Sequence, residues 1–268
     1  MLVSLPSLTD PMIMELRNIL LRAEYGIYDE NFFITFHDNV NFISNYMSKR
    51  IRSYHIKTDG SYNLLCISLT TGENSSRIES VNALTVYLHF SLEDKKRYLQ
   101  LKNEKERFEF YLSLLEKGYR IAEKLKPIPI ELLIYLHSEF RKNGYKNERL
   151  FKKKRIKEYG IKVVLTHCLT SYDYQLKLFI YNMNNELIGQ GCIYKTLPDE
   201  ILFDKNVRHL IVDGKKLIVT DFLDHPQFVC SLDDLSRGIV KSTCVDDNTR
   251  KYIPNEHNAE MFERLKWE

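Results

Sequence analysis

A chain of 268 residues with 44% hydrophobic and 28% charged side chains lies well away from disordered compositions and is long enough to bury a core without staples. The formal charge is +3, but residues 141–158 carry nine Lys/Arg against two Asp/Glu, which leaves the other 250 residues at −4. Basic character is thus one local feature on a mildly acidic body, and a broad electropositive field is excluded.

The five cysteines, Cys66, Cys168, Cys192, Cys230 and Cys244, are odd in number and widely spaced. That pattern predicts reduced thiols in a cytoplasmic protein and not a disulfide framework. The opening MLVSLPSLTDPM has neither the basic start nor the apolar run of a secretory signal. No window approaches the roughly 18 apolar residues of a membrane span, so no membrane partner is expected.

In chain order, Asp10 before Pro11 reads as an N-cap with proline at the first helical position. Ile13, Leu16, Ile19 and Leu20 follow at helical spacing, which predicts a helix to about Arg22. Phe42, Ile43, Tyr46 and Met47 predict an amphipathic helix over 39–51. The period then changes to two: 62–69 and 81–90 read as strands around the turn-rich TTGENSS. Asn103 with Glu106 three residues on resembles a capping box and opens a helix over 103–125, with Phe108, Tyr111, Leu112, Leu115, Tyr119 and Ala122 as its apolar stripe. Pro127 and Pro129 end it. A helix over 130–142 follows, closed by Asn143-Gly144, and so short a connection predicts an antiparallel helical hairpin.

After the basic run RLFKKKRIKEYG (149–160), strands are expected at 161–169, 175–181 and 187–194, joined by links short enough for hairpins. Strands at 207–211 and 216–220 flank Asp213-Gly214, the strongest hairpin signal in the chain. Strands near 227–230 and 238–241 and a helical turn over 260–265 complete the expectation. With no repeat and no βαβ alternation read from the pattern, the fold class is α+β, mainly antiparallel sheet with a central helical hairpin and N-terminal helices. One domain over 1–268 is expected. The alternative is two lobes, 1–126 and 147–268, joined by the helix pair 103–144.

Candidate chemistry is sparse. Pro198-Asp199 followed by Asp213-Gly214-Lys215 matches the loose pattern in which two carboxylates hold a divalent cation and a lysine steadies water. Asp213 and Lys215 fall at a hairpin tip, however, where Asp-Gly is chosen for its turn geometry. Asp221, Asp224 and His225, with Asp233 and Asp234 nearby, could hold a metal, but no established ligand spacing is present, and Asp233 is equally explained by a helix start. Cys168 beside His167 cannot form a dyad on a strand, because neighbours point to opposite faces. There is no nucleotide-binding glycine loop and no zinc-finger spacing, so neither catalytic residue, metal nor cofactor is assigned.

The basic run is the remaining candidate. Lys152, Lys153, Lys154 and Arg155 are consecutive and divide between faces in any regular structure, which weighs against a nucleic-acid grip. Lysines blunting an edge strand account for them, as does a patch that meets an acidic protein. Together with Tyr159 they are the candidate partner-binding residues. Seventeen tyrosines, a residue enriched at interfaces, point the same way.

The segment RFEFYLSLLEKGYRIAEKLKPIPIELLIYLHSEFRKNGYKN, then LFKKKRIKEYGIKVVLTHCLTSYDYQLKLFIYN, then KLIVTDF, resembles the organisation of cytosolic immunity proteins of bacterial polymorphic-toxin systems over residues 85–230. The resemblance implies a non-enzymatic protein that binds a cognate toxin domain and occludes its active site. It assigns no residue, because such proteins share no functional motif. A metal-dependent nuclease using Asp199, Asp213 and Lys215, and a nucleic-acid binder using 149–157, are the alternatives. The oligomeric state is left open.

Overall fold

The computed structural model describes residues 14–72, 76–79 and 81–245. The chain divides into two compact units, Met1–Tyr145 and Lys146–Glu268, so the helix pair lies within the first.

The first unit contains strands β1 (Asn18–Ala23), β2 (Leu64–Thr70), β3 (Arg77–Glu79) and β4 (Ala83–His89). Its helices are α1 (Glu30–Arg52), α2 (Leu92–Leu99), α3 (Glu104–Ala122) and α4 (Ile130–Lys142). Its sheet runs β1-β2-β4-β3, with β1, β2 and β4 parallel and β3 antiparallel. The helix expected to reach Arg22 is therefore corrected: Leu16 and Ile19 are buried, and 18–23 is a strand. Its start at Asp10 and Pro11 lies outside the described residues. NILLRA fits both periods, and pairing with β2 decides between them, burying alternate side chains. β1–α1–β2 is a βαβ unit that the hydropathy pattern does not disclose.

The free edge of β1 is closed by α1. Ser48 Oγ accepts from Ile19 N–H at 2.9 Å and stands 3.1 Å from Ile19 C=O, while Ser44 Oγ accepts from Leu21 N–H at 3.1 Å. Hydroxyls are thus buried in α1 because they satisfy strand backbone that would otherwise be left unpaired.

α3 starts as expected, with Asn103 Oδ1 accepting from Glu106 N–H at 2.9 Å. α4 keeps its expected bounds and ends on Gly144 and Tyr145 at φ +72° and +60°. Phe36 packs its ring edge-on to Tyr98 and Tyr111, and the Tyr98 and Tyr111 hydroxyls meet at 2.8 Å. Tyr62, Tyr111, Tyr119 and Tyr174 are fully buried, so part of the tyrosine content belongs to core and not to an interface.

The second unit holds β5 (Asn147–Ile156), β6 (Ile161–Leu169), β7 (Tyr174–Asn182), β8 (Leu187–Thr196), β9 (His209–Asp213), β10 (Lys216–Thr220), β11 (Pro226–Ser231) and β12 (Ser242–Cys244). Short helices α5 (Glu200–Phe203) and α6 (Leu232–Leu235) interrupt them. Two antiparallel sheets result, β5-β6-β7-β8 and β12-β11-β10-β9, and the fold class is α+β with antiparallel C-terminal sheets. The Asp213-Gly214 hairpin forms with Asp213 paired to Lys216 and Gly214 at φ +52°.

The inner face of the β5–β8 sheet carries Val163, Leu165, Leu176, Leu178 and Ile180, all fully buried. Against it, Phe203 stacks on Tyr174 at 3.7 Å and Phe228 on Tyr194 at 4.6 Å. Near the start of β8 the chain passes so close that a Cβ on Gly189 would lie 2.2 Å from the Gly238 carbonyl oxygen. Glycine is required there by backbone approach.

Candidate functional site

Each sequence-flagged residue has a definite place. Asp199 caps α5, its Oδ1 accepting from Ile201 N–H at 3.0 Å. Asp213 lies at the far end of β9 from His209, and the chain after α5 docks beside the His209 end, through Arg208 N–H to Thr220 C=O and Phe222 N–H to Lys205 C=O. Four strand steps of about 3.3 Å separate the two ends of β9, so the fold holds Asp213 away from the α5 region. Lys215 stands 3.8 Å from Asp233. Among the described residues no group of three His, Cys, Asp or Glu is placed to hold a metal ion.

The Asp221 cluster is a turn clamp. Asp221 is fully buried after β10, and its Oδ1 accepts from Leu223 N–H at 2.8 Å and His225 N–H at 2.9 Å. Gln227 Nε2 donates to Oδ2 at 3.3 Å, and Asp221 N–H returns a bond to His225 C=O at 3.0 Å. Asp224 occupies φ +62°, the tight point of the turn. A carboxyl group already accepting backbone donors on one oxygen and an amide on the other is held in place by its own turn. Its consequence is at the tip: Phe222 and Leu223 are 53% and 54% exposed, on a turn fixed from beneath. Ile201, on the preceding α5, is 78% exposed.

His167 and Cys168 take opposite sides of β6, as strand geometry requires. His167 Nδ1 meets the Tyr174 hydroxyl at 2.7 Å. Burial pushes the Cys168 thiol up to about 11, away from thiolate reactivity. All five cysteines are free; Cys66, Cys168 and Cys230 are buried, whereas Cys244 is exposed.

The basic run is the edge strand β5. A bulge between Leu150 and Lys152 resets its register, after which Lys153 pairs with Val164, Lys154 with Val163 and Arg155 with Lys162. Lys153 and Arg155 therefore share the outer face, while Lys152 and Lys154 lie on the side of the inner face at the sheet's edge. Tyr159 is half-buried in the 3₁₀ turn Lys157–Tyr159. The five candidate residues are thus divided between the two faces of β5 and the turn that follows it.

Register assembles a different group. Across the outer face Arg155, Lys162 and Tyr181 form one row, Lys153, Val164 and Phe179 the next, and Thr166 and Lys177 a third. Lys162 Nζ is held by Asn185 Oδ1 at 2.6 Å and Met183 C=O at 3.3 Å. A depression of about 410 Å³ opens here, lined by Lys153, Lys154, Arg155, Lys162, Tyr181 and Asn185 among others. Lys162, Lys177, Phe179 and Tyr181 escape a motif search, although period-two alternation in YQLKLFIYN marks Lys177, Phe179 and Tyr181 as one phase.

Comparison of the chain with protein-family models, with curated proteins and with solved structures finds no match. What fold and site define together is an α+β protein with two presented surfaces in its second unit, an apolar turn tip and a basic sheet face. Among the described residues no helix is long and apolar enough to cross a membrane.

Proposed function

We propose that the chain is a non-catalytic protein-binding module that binds and neutralises a cognate bacterial toxin domain in the cytoplasm. The observation that carries the protein-binding reading is the clamped turn: Phe222 and Leu223 are exposed while fully buried Asp221 fixes the backbone beneath them. Binding hot spots are aromatic and apolar groups that lose water on contact, and a turn already ordered in the free protein avoids the entropic cost of ordering it. The toxin-neutralising form of the reading comes from the layout resemblance over residues 85–230, and the free thiols agree with a reducing compartment.

The test is co-expression with the product of the neighbouring gene. A stable complex that rescues growth, and that weakens by about 100-fold when Phe222→Ser and Leu223→Ser are combined, is the expected result. A neighbour without toxicity, or a complex indifferent to the double substitution, sinks the proposal.

A further inference from the structure

The outer face of the β5–β8 sheet has a composition the turn tip does not explain. Its three rows bring Arg155 and Lys153 from β5, Lys162 from β6 and Lys177 from β7 around Phe179 and Tyr181, and extend on β8 to Leu187, Gln190 and Cys192. Those rows hold four cations and no carboxylate. Such a set is unusual on a body whose remaining charge is negative, and an edge strand needs only its own lysines to deter pairing. Lys162 and Lys177 lie on inner strands, where that explanation does not reach.

The rings complete the pattern. Phe179 and Tyr181 are alternate residues of one strand, so they rise on the same face about 6.8 Å apart, and both are half-buried. Two π-faces at that spacing, with Lys177 next along the same face of β7, Lys162 on β6 about 4.8 Å to one side and Lys153 and Arg155 one strand further out on β5, suit a ligand with flat groups along an anionic backbone. Arg155 adds a planar guanidinium to the row of Tyr181, two strands away with Lys162 between them. A duplex hides its base faces in the stack, whereas a single strand can lay them on the rings. An acidic protein surface would use the cations but has no need of two rings set between them.

We infer that the outer face of the β5–β8 sheet, through Lys153, Arg155, Lys162, Lys177, Phe179 and Tyr181, binds single-stranded nucleic acid. Bases stack on Phe179 and Tyr181, and phosphates lie against the four cations. This function is separate from the turn tip and does not depend on it.

Fluorescence anisotropy on the full chain with a labelled oligouridylate of about 12 nucleotides tests it, with a duplex of the same length and poly-L-glutamate as competitors. Expected are binding preferred over the duplex and a log–log salt slope of about −3, from four phosphate contacts at about 0.7 each. Phe179→Leu and Tyr181→Leu keep an apolar side chain but lose the π-face, and each should weaken binding about 10-fold. Lys153→Gln with Arg155→Gln, both at exposed positions, should lower the slope to about −1.4. Circular dichroism confirms that each variant is folded, and the two glutamine changes keep the test decisive if a ring variant is not. The idea is overturned by absence of binding at about 50 mM salt, by binding that ignores the ring or charge variants, or by poly-L-glutamate competing as well as the oligonucleotide. The last result would assign the face to an acidic protein. Phe222→Ser with Leu223→Ser should leave oligonucleotide binding unchanged.

Discussion

Asp221 Oδ1 accepts the backbone N–H of Leu223 at 2.8 Å from a side chain with no solvent exposure. The bond ties the exposed tip to the interior, and the tip cannot reorganise without leaving a buried donor or acceptor unmet. Asp221→Asn places an amide where donors already point, and should cost about 2 kcal/mol, read as a lower urea midpoint. Asp224→Asn, at an exposed left-handed position that asparagine tolerates, should stay within about 0.5 kcal/mol. Equal losses in the two variants would refute the clamp.

His137 on α4 is 1% exposed and lies 5.5 Å from the Tyr119 ring, and burial pulls its pKa down to about 4. The folded protein therefore keeps it neutral while the unfolded chain takes up a proton below about 6.5. Stability is complete above that value and falls as pH drops toward 4, by up to about 3 kcal/mol from this group. Denaturation midpoints recorded between pH 7 and 4.5 should decline, and His137→Leu should flatten the decline. An unchanged slope in that variant would place the acid sensitivity elsewhere.

Gly189→Ala would set a Cβ 2.2 Å from the Gly238 carbonyl oxygen, and Gly118→Ala one 2.4 Å from Ile67 Cδ1. Backbone yields less readily than a side chain, so the first should lower the melting temperature more; overpacking of this kind costs about 1–3 kcal/mol. Gly72→Ala, whose nearest neighbour is Thr70 Oγ1 at 3.8 Å, serves as the neutral comparison.

Asn103→Ala removes the acceptor for Glu106 N–H and should destabilise the first unit by about 1 kcal/mol. Asn103→Ser should recover most of the loss, since the serine hydroxyl accepts the same bond. Chemical denaturation followed by far-UV circular dichroism would show it.

Local rules carried the reading of α3, α4 and the Asp213-Gly214 hairpin, because each is bounded by a cap or turn whose energetics lie within a few residues. They failed at β1, where NILLRA serves either period until β2 supplies its partner. They offered an edge strand as one account of the basic run but gave β5 no bounds or register, which exist only beside β6. Asp221, Asp224 and His225 were visible as a polar cluster, but whether they face a metal or their own backbone depends on the path of residues 221–225.

By itself the sequence determined the α+β class, the helix pair with its stops, and the placement of one strongly basic segment, since composition, caps and periodicity act locally. Tertiary structure alone decided the register of this edge strand, that its alternate cations join Lys162, Lys177, Phe179 and Tyr181 from other strands, and that Asp221 turns inward. The physical reason is that strand register and side-chain burial arise from pairing between distant segments, and that information is not carried by either segment alone.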